Sequence, residues 1–154
     1  MPESFALDDI RRRDRAQYKA DRATHPALVF RLMLDARVWS LLIPIFARRP
    51  DLSKLLSRTG PGRRQVYRGL AAETIWRCCH RILKRPVLMK DRPCLREGLL
   101  VYRFLVMSGY EPTLHFGVDK ASLDSDRGRA HCWIKLGTRI FNPPEPLMVE
   151  IHAH

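Results

Sequence analysis

No Cys-x-x-Cys pair occurs among the four cysteines, and two of them, Cys78 and Cys79, are neighbours in the chain. That spacing suits neither a zinc knuckle nor an easily closed disulfide. Cys78, Cys79, Cys94 and Cys132 are therefore expected to be reduced thiols in a cytoplasmic protein, with no metal site and no cofactor. No apolar run approaches the roughly 20 residues that a membrane span needs. The most hydrophobic stretch, Val38 to Ala47, is bounded by Arg37 and Arg48 and contains Pro44, so it reads as a buried or interfacial helix. The first residues pass through Pro2, Glu3 and Ser4 to Arg11-Arg12-Arg13 without an apolar core of signal-peptide length, which argues against secretion. Internal repeats and low-complexity tracts are missing as well.

What is present fits one domain, residues 1–154, with 45% hydrophobic and 29% charged residues, too apolar for a disordered tail. The formal charge is +12, and it is unevenly spread: 21 of the 28 basic and 9 of the 16 acidic residues precede position 93. The remainder is neutral. The chain divides accordingly into a basic helical cover, residues 1–90, and a neutral core, residues 91–154.

Hydrophobic spacing assigns the elements. Residues 1–25 read as a charged, solvated helix, with Asp8, Asp9 and Asp14 at helical spacing from Arg11, Arg12, Arg13 and Arg15. From Pro26, the series Val29, Leu32, Met33, Ala36, Trp39, Leu42, Ile43 and Phe46 predicts an amphipathic helix, ended by Arg49-Pro50-Asp51. Leu52, Leu55 and Leu56 suggest a short further helix before the break at Thr59-Gly60-Pro61-Gly62. Val66 to Leu83 repeats helical spacing through Tyr67, Leu70, Ile75, Cys79 and Ile82. Asp91-Arg92-Pro93 then caps a long helix through Leu95, Leu99, Tyr102 and Val106, stopped by Gly109. Alternation predicts strands at Thr113–Val118 and Arg129–Leu136, a turn at Gly137-Thr138 and a short strand to Phe141. Asn142-Pro143-Pro144 should end regular structure, leaving His152 and His154 in a tail. The expected fold class is α+β: a helical N-terminal half packed on one long helix and a small antiparallel sheet.

Cys94 stands out because it falls in the first turn of the long helix. Unpaired backbone N–H groups and the helix dipole favour a thiolate there, and Arg92 and Arg96 add positive charge. Cys78 and Cys79, mid-helix and away from any cap, read as small buried hydrophobes. A nucleophilic thiol needs a base and a group that orients the base. His131 is the best base, on a strand face shared with Trp133 and opposite to Cys132 and Ile134; His115 on the neighbouring strand is the weaker rival.

A cysteine at a helix start, then strands carrying a histidine, then a polar residue on the next strand is the layout of papain-like and transglutaminase-like cysteine enzymes. Pro93-Cys94-Leu95-Arg96 through Leu105 and Gly109, then Leu114-His115-Phe116-Gly117-Val118, then Ala130-His131-Cys132-Trp133-Ile134, resembles the leader peptidase of lasso-peptide biosynthesis over residues 90–142. The resemblance implies Cys94 as nucleophile and His131 as general base, cutting a leader from a ribosomally made precursor through a thioester. It implies three partners: the precursor peptide, a small leader-recognition protein because no recognition domain precedes the helices, and a lasso cyclase. The family's aspartate position falls on Pro143, and Asn142 is the expected substitute, its amide oxygen orienting the imidazole. Glu145 and Glu150 lie nearby in sequence. Alternatives are a transglutaminase-like scaffold or acyl transferase, and a basic nucleic-acid-binding protein, for which Arg63-Arg64-Tyr67-Arg68 speaks. No nucleic acid is expected as partner, because that last reading explains neither the neutral C-terminal part nor the capped cysteine.

Overall fold

A computed structural model describes residues 3–46, 65–84, 93–119, 130–144, 146 and 148–153. The expected Leu52–Leu56 helix and the Thr59–Gly62 break lie outside the described residues. Two long helices open the chain, α1 (Glu3–Thr24) and α2 (Pro26–Phe46), the second starting on a proline whose fixed φ suits a first helical position. α3 (Ala72–Leu83) is shorter than the apolar spacing predicts. Val66–Leu70 form a turn instead: Gly69 takes φ +99°, a backbone shape that no right-handed helix contains, and Ala71 is extended. The turn is held from outside, since the Tyr67 N–H donates to the Met107 carbonyl at 3.2 Å and the Ala71 N–H to Asp21 Oδ2 at 2.9 Å.

α4 (Pro93–Met107) runs as expected and ends in a Schellman motif. Gly109, at φ +88°, donates to the Val106 carbonyl, and the Tyr110 N–H reaches back to Leu105 at 3.1 Å. Four strands follow, β1 (Thr113–Asp119), β2 (Ala130–Leu136), β3 (Arg139–Phe141) and β4 (Met148–Ala153), in the antiparallel order β3-β2-β1-β4. β4 corrects the expectation that regular structure ends at Pro144. Val149 and Ile151 are exposed, so this edge strand is defined by its backbone ladder to β1 and carries no clean apolar face to read in sequence. His152 sits in that strand opposite Phe116, while His154 lies outside the described residues.

The architecture is α+β. One apolar cluster runs from Leu32 and Ile43 of α2 through Ile75 and Cys79 of α3 to Leu100 and Phe104 of α4, and on to Leu114, Ile134 and Phe141 of the sheet. Each such side chain removed from water contributes about 1.5–3 kcal/mol. α1 is not wholly solvated as its composition suggests. Asp14 and Asp21 are buried, Asp21 holding Ala71 and Asp14 accepting from Arg139 Nη2 at 2.5 Å, while Arg139 Nη1 donates to Glu73 at 2.8 Å. One guanidinium thus ties α1 and α3 to the β2–β3 hairpin. α4 is the element common to both parts, touching α2, α3, β1 and β2, and it carries Cys94 at its start.

Candidate active site

Because α4 begins at Pro93, Cys94 occupies its first turn, where the backbone N–H groups have no carbonyl one turn back. It is half-buried against the core, whereas Cys78, Cys79 and Cys132 are buried. Burial pushes the Cys78 thiol up to about 11 and Cys79 well above its ordinary value. Cys132 is pushed up to about 12, first by burial and then by its electrostatic interaction with Cys94 and Glu97. Three thiols are thereby held neutral, and Cys94 and Cys132 are near enough to feel one another.

The approach of α4 to the sheet rests on Gly98, one turn beyond Cys94. A Cβ at Gly98 would lie 2.5 Å from Cys132 Sγ and 3.2 Å from Leu114, so only glycine lets the helix lie this close to β2. Strand alternation then turns His131 to the other side of β2, with Trp133, as its position predicts. The two rings stack with centroids 6.2 Å apart, and Trp133 stacks in turn on His115 at 5.8 Å. His115 is engaged elsewhere: it is buried, its Nε2 lies 2.8 Å from Thr113 Oγ1, and its Nδ1 lies 3.0 Å from Glu150 Oε2 without the alignment of a hydrogen bond. His115 in return holds the exposed Glu150 carboxyl below the usual carboxylate range. That places Glu150 on His115 and Lys135 rather than on His131; Glu145 lies outside the described residues.

Asn142 does meet His131, but not in the expected way. The acceptor is its backbone carbonyl, 3.0 Å from His131 Nε2, while its side-chain Nδ2 donates to the Cys132 carbonyl at 3.2 Å. The cause is local: Asn142 takes the left-handed conformation, φ +55°, which asparagine tolerates better than most residues, and this turns its carbonyl toward the ring. A carbonyl only accepts, so Nε2 is the donor in this bond, and Nδ1 is the ring nitrogen left to exchange a proton with a substrate or nucleophile. Neither interaction of His131 involves Cys94.

Sequence reasoning missed a second imidazole. His80 Nδ1 lies 2.6 Å from Glu97 Oε1, and Glu97 stands three residues after Cys94 on α4, a spacing that shares a helix face. His80 also stacks on Trp76 at 5.0 Å. Where α3, α4 and the sheet meet, a small cavity is lined by Trp76, Glu97, Gly98, Cys132, Phe141 and Asn142. The signal for Glu97 was available in its offset from Cys94; nothing in the spacing pointed to His80, which comes from another helix.

Among the described residues, no group of three or more His, Cys, Asp or Glu side chains could hold a metal ion, and no helix is long and apolar enough to cross a membrane. No curated protein and no solved structure matches the chain. The family model of the transglutaminase-like superfamily matches residues 30–150, which span α2 to β4 and include Cys94, His131 and Asn142. With its helix-borne cysteine packed on an antiparallel sheet, the chain belongs to the transglutaminase-like superfamily, a fold that generally includes cysteine-type enzymes.

Proposed function

We propose that the protein is a cysteine peptidase that removes the leader from a ribosomally synthesised, lasso-type precursor peptide. The observation that carries this reading is Cys94, half-buried in the first turn of α4, where the helix leaves N–H groups open, in a chain of the transglutaminase-like superfamily. His131 projects from the face of β2 opposite to the Cys132 face on which α4 lies, so the Cys94 proton has to pass to His131 Nδ1 across the end of that strand as Sγ attacks the scissile carbonyl carbon. The oxyanion is met by the Cys94 N–H at the open helix end. The C–N bond breaks as the imidazolium returns the proton to the leaving amine, forming a thioester. Water, deprotonated by the same ring, then releases the peptide acid and restores the thiol. Asn142 serves through its carbonyl, which orients the ring but cannot neutralise it as a carboxylate does. A leader-recognition protein presents the precursor, and a lasso cyclase takes the trimmed product.

The short bond between His80 and Glu97 favours a second reading, in which His80 is the base and Glu97 supplies the missing carboxylate. Both are tested by incubating the protein with precursor and presenting partner and following leader release by mass spectrometry. Cys94→Ala is expected to abolish release, and continued cleavage would end the peptidase reading. His131→Ala should lose at least 100-fold in rate, while His80→Ala stays within about fivefold; the opposite ranking would move the base to His80.

A further inference from the structure

α2 carries large apolar side chains around most of its circumference, interrupted by Arg31, Asp35 and Arg37, yet only part of that apolar surface is covered. Val29, Leu32, Ala36 and Ile43 are buried, while Phe30, Leu34, Val38 and Leu41 are 64%, 43%, 55% and 54% exposed. A contiguous exposed apolar patch of this kind ordinarily marks a surface that meets a partner. Beside it, α1, α2 and α3 form an open groove of about 610 Å³, whose floor includes Tyr18, Val29 and Met33 and whose wall is Phe30 and Leu41. Arg22, Arg37 and Arg81 also line the groove, and among the described residues no acidic side chain does. All three arginines are exposed, and among the described residues none of them is paired with a carboxylate.

We infer that this groove docks an acidic amphipathic segment of a second protein, two or three large apolar side chains filling the floor and carboxylates meeting the three arginines. Charge selects this occupant. A second copy of the chain carries the same +12 charge and would be repelled. The chain's own segment 47–64 holds Arg48, Arg49, Lys54, Arg58, Arg63 and Arg64 against a single acidic residue, Asp51, and so does not complement the arginines. An anionic membrane would suit the arginines, but a concave groove offers apolar surface to an inserted side chain rather than to a flat bilayer. Helix-in-groove recognition has this form, with apolar anchors at helical spacing and charged flanks that set orientation and association rate. The inference concerns a face built from α1, α2 and α3, and it stands whether or not Cys94 is a nucleophile.

The test uses the full-length protein and a display library of helical peptides with Leu or Phe at i, i+3, i+4 and i+7 and Glu, Lys or Ala elsewhere. Selected peptides are measured by fluorescence anisotropy. The expected result is enrichment of Glu-flanked sequences, with Arg37→Glu or Arg81→Glu weakening binding about tenfold and Phe30→Asp by at least as much. Arg22→Glu/Arg37→Glu/Arg81→Glu should switch the preference to Lys-flanked peptides; all these positions are exposed, and unchanged circular dichroism confirms the fold. Selection of no peptide, binding indifferent to these substitutions, concentration-dependent dimerisation that Phe30→Asp abolishes, or capture by anionic vesicles in place of peptides would each overturn the inference.

Discussion

Substitutions at Asn142 separate the two ways an asparagine can hold an imidazole. If the backbone carbonyl orients His131, the side chain matters only because it stabilises the turn. Asn142 is left-handed, and a residue with a Cβ there ordinarily costs about 1–2 kcal/mol, part of which asparagine escapes. Its Nδ2 bond to the Cys132 carbonyl adds about 1 kcal/mol. Asn142→Ala loses both and should lower unfolding stability in urea by about 1.5–2.5 kcal/mol. Asn142→Gly loses only the bond, about 1 kcal/mol, and keeps the carbonyl in place. Precursor cleavage should then fall at least tenfold in the alanine variant but stay within about threefold of the parent in the glycine variant. Nitrogen-15 NMR of the His131 ring should show Nε2–H retained only in the latter. Asn142→Asp is the decisive case, because its carboxylate would face the Cys132 carbonyl, acceptor against acceptor, and should be slower than glycine. A faster aspartate variant, or a glycine variant as slow as alanine, would refute the carbonyl argument.

Two further substitutions test the packing that positions the site. Gly98→Ala puts a methyl group into Cys132 Sγ and should cost about 1–3 kcal/mol by urea denaturation, with much of the loss regained in Gly98→Ala/Cys132→Ala; no coupling in that double-mutant cycle would mean the helix–strand contact is loose. Arg139→Ala leaves the Asp14 carboxylate, 4% exposed, without its cation and should destabilise by about 3 kcal/mol; a change below about 0.5 kcal/mol would show that water reaches Asp14.

The amino-acid sequence alone determined the α+β class, the helix from Pro93 to the stop at Gly109, the strands around His115 and Cys132, and the candidate pair Cys94 and His131. Those features are local: a proline before an apolar series, a glycine that can turn left-handed, an alternation of faces. The tertiary structure decided what local rules cannot reach. It shortened α3, because Gly69 and the tie of Tyr67 to Met107 compete with helical spacing. It added β4, whose pairing is backbone to backbone and leaves no periodic trace. It buried Asp14 by offering it Arg139, and it brought His80 to Glu97 from a different helix. Above all it exchanged the amide oxygen of Asn142 for its carbonyl, since which atom faces His131 depends on one dihedral angle that residue type biases and only the folded chain sets.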